Sequence, residues 1–295
     1  MVWRFSDGRA GHDAQTLGLA AALRARTAAR IFDLRVRGRT RALGWWLSGR
    51  YPPADGLPRP DLLIGAGHST HFHLLAARRR WGGRIIVCMK PSLPLSWFDL
   101  CLIPEHDRPP RRDNVLRTIG ALGCVAPGGR HDPDTGLILV GGPSRHVRWD
   151  SARLLTQVEA LLAARPLRRW LLHTSPRTPQ ALARRLAAMR GFDYLPFPAV
   201  ERAALVRHMG EAGEIWVSSD SVSMLCEALS SGARVGLLEV PRAGRNRVSA
   251  GVAMLSGRGW LGAAGRWRPA SARRPQLDEA GRCADWVARR WLTGH

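Results

Sequence analysis

The chain has 295 residues, a hydrophobic fraction of 45% and a formal net charge of +22. That length has room for two ordinary domains, and no apolar run approaches the ~20 residues that a membrane span needs. The charge is spread, with 21 basic against 11 acidic side chains in residues 1–135 and 24 against 12 in residues 136–295; this is no basic tail, and such a surface attracts anionic lipid, nucleic acid or phosphorylated substrates.

The N-terminus enters a strand at 2–5 without the basic, apolar and small-residue regions of a signal peptide, so a cytoplasmic location is expected. A glycine-containing loop at 6–15 and an Ala/Leu-rich helix to about residue 26 follow. Strands are predicted at 31–36, 62–64, 84–88, 98–103 and 115–119, with a short helix at 42–47 and another reaching about residue 80. The glycine- and proline-rich run 127–136 has the composition of a linker. A second series then gives a strand at 137–140, a helix at 151–164, a strand at 170–173, and a helix at 178–190 that Pro179 can begin. Helices near 248–256 and 277–292 complete it. The five cysteines form no Cys-x-x-Cys pair and are odd in number, which reads as buried free thiols.

Residues 215–239 carry the clearest unit. A strand at 215–217 opens into Ser218, Ser219 and Asp220, which are turn and N-cap residues. Val222, Leu225, Cys226 and Leu229 recur at i, i+3, i+4, i+7 as one buried helix face. Gly232 suits the left-handed position after the helix, and 235–238 is the next strand. Ser223, Glu227 and Ser230 form a polar stripe that is either a solvated helix face or a nucleotide seat. In the second reading, hydroxyls and free N–H groups hold a diphosphate and Glu227 holds ribose hydroxyls.

In open α/β sheets, ligands bind beyond the C-terminal ends of the strands, and the polar clusters of this chain fall there. In the first half they are Asp7, Arg9, His12 and Asp13; His68, Ser69 and His71; and Glu105, His106 and Asp107. In the second half they are Gly141, Gly142, Ser144 and Arg145; Thr174, Ser175 and Arg177; and Ser219, Asp220 and Ser221. The chain has no three-glycine dinucleotide fingerprint, P-loop, His-Glu-x-x-His or Gly-x-Ser-x-Gly motif, and Asp132-Pro-Asp134 reads as a turn. His173 is expected as a satisfied core residue, and His131 and His208 at the surface. His12, beside Asp13, reads equally as a loop histidine capping the next helix and as a general base.

The segment Ser6-Asp-Gly-Arg-Ala-Gly-His-Asp-Ala-Gln-Thr-Leu-Gly-Leu19 resembles the opening of the elongated-mitochondria (mitochondrial fission) protein family, whose bacterial members are described as glycosyltransferases. The resemblance extends through Phe98-Asp-Leu, Pro104-Glu-His-Asp107, Asn114-Val-Leu-Arg-Thr-Ile-Gly-Ala-Leu122, Gly141-Gly142, Thr174-Ser-Pro-Arg-Thr-Pro179, Asp220-Ser-Val-Ser-Met224 and Glu227-Ala228. The chain departs from the family pattern at Lys90, where an acidic residue usually precedes the proline, and at His68, where a basic residue usually follows the glycine.

The resemblance implies an α/β chain of GT-B type: two Rossmann-like domains facing across a cleft, with a C-terminal helix crossing back to the first. The expected spans are 1–128 for the acceptor domain, 137–275 for the nucleotide-sugar donor domain and 276–295 for the helix. It implies metal-independent transfer with no cofactor beyond the nucleotide-sugar co-substrate. His12 and Asp13 are the catalytic candidates, and Asp7, Arg9, His68, Glu105, His106 and Asp107 lie on the acceptor side. Gly141, Gly142, Ser144, Arg145, Thr174, Ser175, Arg177, Ser219, Asp220, Ser221, Ser223 and Glu227 form the donor side. The expected acceptor is a lipid-linked or envelope glycan, with peripheral attachment to the anionic inner face of a membrane; nucleic acid is not the expected partner. The alternatives are a nucleotide-sugar epimerase or hydrolase of the same fold and a non-catalytic basic adaptor at a membrane.

Overall fold

The structure, a computed structural model, describes residues 1–125, 128–166, 168–262 and 277–292. The chain divides into two units, Met1–Cys124 with Asp278–His295, and Val125–Leu277. The parts of the expected spans at 126–127, 167, 263–276 and 293–295 lie outside the described residues.

The first unit is built on β1 (Val2–Ser6), α1 (Ala10–Arg26), β2 (Ile31–Arg35), α2 (Arg39–Ser48), β3 (Leu62–Ala66), α3 (His71–Trp81), β4 (Arg84–Cys88), β5 (Leu100–Pro104) and β6 (Val115–Thr118). The six strands pair in parallel in the order β2-β1-β3-β4-β5-β6. Parallel strands joined by crossovers are buried on both faces, and alternation along β1 serves both layers. Trp3 and Phe5 point to the layer holding α2 and α3, and Val2 to the layer holding α1. The C-terminal helix belongs to this second layer, where Ala280, Cys283, Ala284 and Val287 pack with Leu19, Leu23 and Ile64. Buried Glu279 fixes the start of that helix by accepting the Ile119 N–H at 2.9 Å.

The second unit comprises β7 (Asp132–Val140), α4 (Ser151–Ala164), β8 (Arg169–Thr174), α5 (Gln180–Ala188), β9 (Asp193–Leu195), α6 (Arg202–Glu211), β10 (Ala212–Ser218), α7 (Val222–Ser230), β11 (Arg234–Leu238), α8 (Arg247–Gly257) and β12 (Leu261–Gly262); α9 (Glu279–Val287) is the C-terminal helix already placed. Its sheet is also parallel, in the order β12-β11-β10-β7-β8-β9. Ile138, Val140, Trp170, Leu172 and Trp216 form a core with α4 and α5.

Several predicted boundaries move. The predicted loop 6–15 is helical from Ala10 onward, so His12 and Asp13 lie on the first turn of α1. The predicted linker gives way to strand at Asp132, which pairs with Ala212 of β10 across a register irregularity; the Asp132 carboxylate accepts the Asp134 N–H and the Thr135 hydroxyl there. Helix α5 starts after Pro179 rather than at residue 178. Elements β9, α6 and β12 are absent from the prediction. The five cysteines are free, and all but Cys124 are buried; burial pushes the Cys101 and Cys283 thiols up to about 12.

Candidate functional site

In each sheet the chain order reverses at one point, between β1 and β3 in the first unit and between β7 and β10 in the second. Such switch points are where open α/β sheets bind ligands, and both carry polar side chains here.

At the first switch point, the turn after β1 folds Asp7 back onto α1. His12 Nδ1 lies 2.9 Å from Asp7 Oδ2, Ser69 Oγ–H donates to the same oxygen at 2.6 Å, and the Arg9 N–H reaches Oδ1 at 3.2 Å. Burial pushes the Asp7 carboxyl up, but the hydrogen bonds from Ser69 and His12 outweigh it and hold the group below the usual carboxylate range. An ionised carboxylate only accepts, so Nδ1 of His12 carries the proton of that bond, and Nε2 is the ring nitrogen that Asp7 leaves unengaged. The imidazole lies over Gly67, which has φ +81°; a Cβ there would sit 2.3 Å from the ring. Glycine satisfies both the left-handed backbone and the close approach.

The carboxylate beside His12 is therefore Asp7, not Asp13. Asp13 faces the other way, toward the buried Arg4 guanidinium at 3.5 Å, which also binds Asp33 and Thr16. Adjacent helix residues diverge by about 100° around the axis, so sequence neighbours on α1 do not share a face. His68 and Arg9 are exposed on the flanking turns, and Glu105, His106 and Asp107 form a 3-10 turn after β5. Ser69, which fixes Asp7, stood in a polar cluster of the sequence but not among the expected site residues. His71, in that cluster, is buried against Phe98, and burial lowers its pKa to about 4.

At the second switch point, Asp220 is the centre. Its fully buried carboxylate accepts the Ser218 hydroxyl at 2.6 Å, the Gly142 N–H at 3.2 Å and the Arg177 guanidinium. Ser218 in turn accepts the Gly141 N–H at 2.7 Å, while Arg177 also donates to the carbonyls of Gly142 and Pro143. Thr178 donates to Gly141 O at 2.7 Å and accepts the Ser175 N–H at 2.9 Å. A Cβ on Gly142 would collide with the Arg177 carbonyl. In this structure the Gly142 N–H, Arg177 and Asp220, expected on the donor side, bond to one another and tie the ends of β7, β8 and β10 together. The sequence offered no sign of this, since a strand-end aspartate and a loop arginine look alike in either role.

The remaining donor-side residues divide similarly. Ser219 accepts the Val240 N–H at 2.9 Å and Thr174 accepts the Phe197 N–H at 3.0 Å. Ser144 accepts the His146 N–H at 3.3 Å, and Ser175 accepts that of Arg177 at 3.2 Å. Ser221 caps α7 by accepting the Met224 N–H at 3.4 Å; a cap of this kind leaves other first-turn N–H groups without helical partners. Arg145 is exposed and Ser223 half-buried.

Of the two readings of the stripe, a solvated face does not describe Glu227. It is only 4% exposed, its carboxylate is paired with Arg202 at the start of α6, and Ser230 is buried with its hydroxyl on the Cys226 carbonyl. Burial pushes the Glu227 carboxyl up, and Arg202 opposes that shift. Arg202 was missed because α6 buries only Met209 and shows no apolar stripe. Elsewhere in the unit, a cleft of about 370 Å³ opens beside Arg169, Asp193 and His208. It lies next to strand starts rather than these loops. There His208 is half-buried, not a surface residue, and bonds to buried His173 at 2.9 Å. His131 is likewise half-buried, with Nδ1 2.8 Å from the Ala212 carbonyl.

Comparison with known proteins adds the following. A sequence profile of the family described as Mitochondrial fission ELM1 matches residues 10–291. No curated protein matches the chain. A structure from Listeria monocytogenes described as a UDP-N-acetylglucosamine 2-epimerase superposes with a TM-score of 0.62 at 12% identity, over 98% of this chain and 95% of that one. UDP-GlcNAc 2-epimerase from Neisseria meningitidis, bound to UDP-GlcNAc, gives 0.58 at 10% identity, over 99% of each chain. MurG of Acinetobacter baumannii gives 0.52 at 15% identity, over 89% and 85%. Such likenesses establish the fold: two Rossmann-like domains of GT-B type.

Proposed function

Because the chain belongs to the mitochondrial fission ELM1 family and has the GT-B fold, we propose that it is a glycosyltransferase that takes a sugar from a nucleotide-sugar donor to a hydroxyl of a lipid-linked or envelope glycan. The observation that carries this reading is Glu227. A buried carboxylate paired with arginine is a poor source of stability, since desolvation offsets most of the attraction, and buried carboxylates of perturbed pKa cluster at functional sites. Glu227 stands on the helix whose N-terminus points to the C-terminal end of the sheet, which suits a carboxylate that receives ribose hydroxyls.

The residues then have distinct roles. Asp7 orients His12, whose Nε2 removes the proton from the acceptor hydroxyl. The acceptor oxygen bonds to the anomeric carbon as the bond from that carbon to the phosphate oxygen breaks. Charge gathers on the departing nucleoside diphosphate, and first-turn N–H groups of α7 with Arg145 offset it without a metal. Asp220, Arg177, Gly141 and Gly142 hold the strand ends that present this surface and do not touch the donor.

A thermal-shift screen tests the proposal. A nucleoside diphosphate at 100 times its Kd stabilises the native state by about 2.7 kcal/mol, which raises the melting temperature by several degrees. Uridine, guanosine and cytidine diphosphates and their sugar conjugates are the probes, and one base is expected to stand out. No shift with any of them removes the transferase reading.

A further inference from the structure

We propose that the outer face of α2 is a docking surface for an anionic lipid bilayer. Leu47, on the last turn of α2, is 63% exposed, the most exposed large hydrophobic side chain among the described residues. On the neighbouring face of α2, half-buried Trp46 packs with tilted rings 5.4 Å from half-buried Trp97 and 5.8 Å from buried Phe72. Indoles with one edge wet and one edge in an apolar layer suit the headgroup region of a membrane.

The charge around this apolar tip has one sign. Between Asp33 and Asp55 the chain has five arginines, Arg35, Arg37, Arg39, Arg41 and Arg50, and no acidic residue. All five are exposed. Arg39 covers the Phe72 ring at 5.5 Å, so its stem adds to the apolar surface while its head remains available. No helix of the described residues is long and apolar enough to cross a membrane. An amphipathic contact of this kind holds a protein on a bilayer instead, by inserting a small apolar tip and gathering anionic headgroups around it.

One feature favours lipid over nucleic acid as the occupant. The most exposed side chain of the patch is an aliphatic leucine, which has no partner on a phosphate backbone, whereas acyl chains accept it. The arginines are carried by α2 (Arg39, Arg41) and by the segments that flank it (Arg35, Arg37, Arg50), in the same stretch of chain as that leucine.

Flotation of the full chain with vesicles of phosphatidylcholine alone, or mixed equally with phosphatidylglycerol, tests the proposal. Binding is expected only to the mixed vesicles and to weaken with salt. Each arginine near such a surface is worth about fivefold in partitioning, so Arg37→Glu/Arg41→Glu is expected to weaken binding by at least about 25-fold, and Leu47→Ser by several-fold. The reference is Arg184→Glu/Arg185→Glu, an equal charge change on the exposed face of α5, which is expected to leave most of the binding intact. These side chains are at the surface, and unchanged melting temperatures confirm folding. Equal losses in the two double variants would show that net charge alone drives adsorption and would overturn the proposal. So would equal binding to neutral vesicles, or no binding to either kind.

Discussion

Replacing Asp220 with alanine is expected to destabilise the second unit by about 2–5 kcal/mol. The figure follows from what the carboxylate satisfies. Its removal strands the Ser218 hydroxyl and the Gly142 N–H, both buried, and an unsatisfied buried polar group costs about 1–3 kcal/mol. Arg177 adds less than a fully buried partner would, because its side chain is 39% exposed and water can solvate the released charge. Asp220→Asn is expected to cost less, since the amide retains one acceptor oxygen. Hydrogen exchange of the β7 and β10 amides reads the effect locally, which matters in a chain of two units. Protection that stays the same in Asp220→Ala would show that the strand ends are held by other contacts.

His12→Ala is expected to reduce glycosyl transfer by about 10²–10⁴-fold, the usual contribution of a general base, while nucleoside diphosphate affinity stays near wild type. His12 belongs to the first unit and Glu227 to the second, so chemistry and donor binding separate. Asp7→Asn is the companion variant. It removes the ionised acceptor that fixes Nδ1–H, and so is expected to lower turnover through the tautomer while imidazole remains in place. Asp13→Asn is expected to leave turnover largely intact, since Asp13 faces Arg4. Release of nucleoside diphosphate in the presence of acceptor is the measurement. Full turnover in His12→Ala would transfer the base role to another carboxylate, and loss in Asp13→Asn equal to that in Asp7→Asn would contradict the pairing.

Much of the fold was legible because buried parallel strands leave short apolar runs punctuated by glycine and polar turns. The unit from β10 to β11 shows this best: the Val222, Leu225, Cys226 and Leu229 stripe and the following strand stand where the pattern put them, while the cap falls on Ser221, one residue after the expected Ser218–Asp220. The pattern failed where burial came from more than one side. Helix α7 packs on β10, β11 and α8, so its polar stripe is covered too, and Glu227 draws its counter-ion from a helix that carries no periodic signal of its own. The pairing of Asp220 with Arg177 was not legible for a related reason: residue type and strand-end position marked both as donor-side candidates, and only the fold shows that they bind each other. The carboxylate partner of His12 is not the adjacent residue: Asp7 lies five positions earlier and reaches it because the turn folds back.

Calorimetric titration of nucleoside diphosphates into wild type and Glu227→Gln reads whether Glu227 belongs to a nucleotide seat. Glutamine preserves the volume of this buried side chain, which alanine would not. A carboxylate hydrogen bond contributes about 1.5–3 kcal/mol against about 0.5–1.5 for a neutral one, so affinity for the preferred diphosphate is expected to fall about fivefold to tenfold in Glu227→Gln, with the fold intact. Equal affinity in the two proteins, or no binding of any nucleoside diphosphate by the wild type, would contradict that placement.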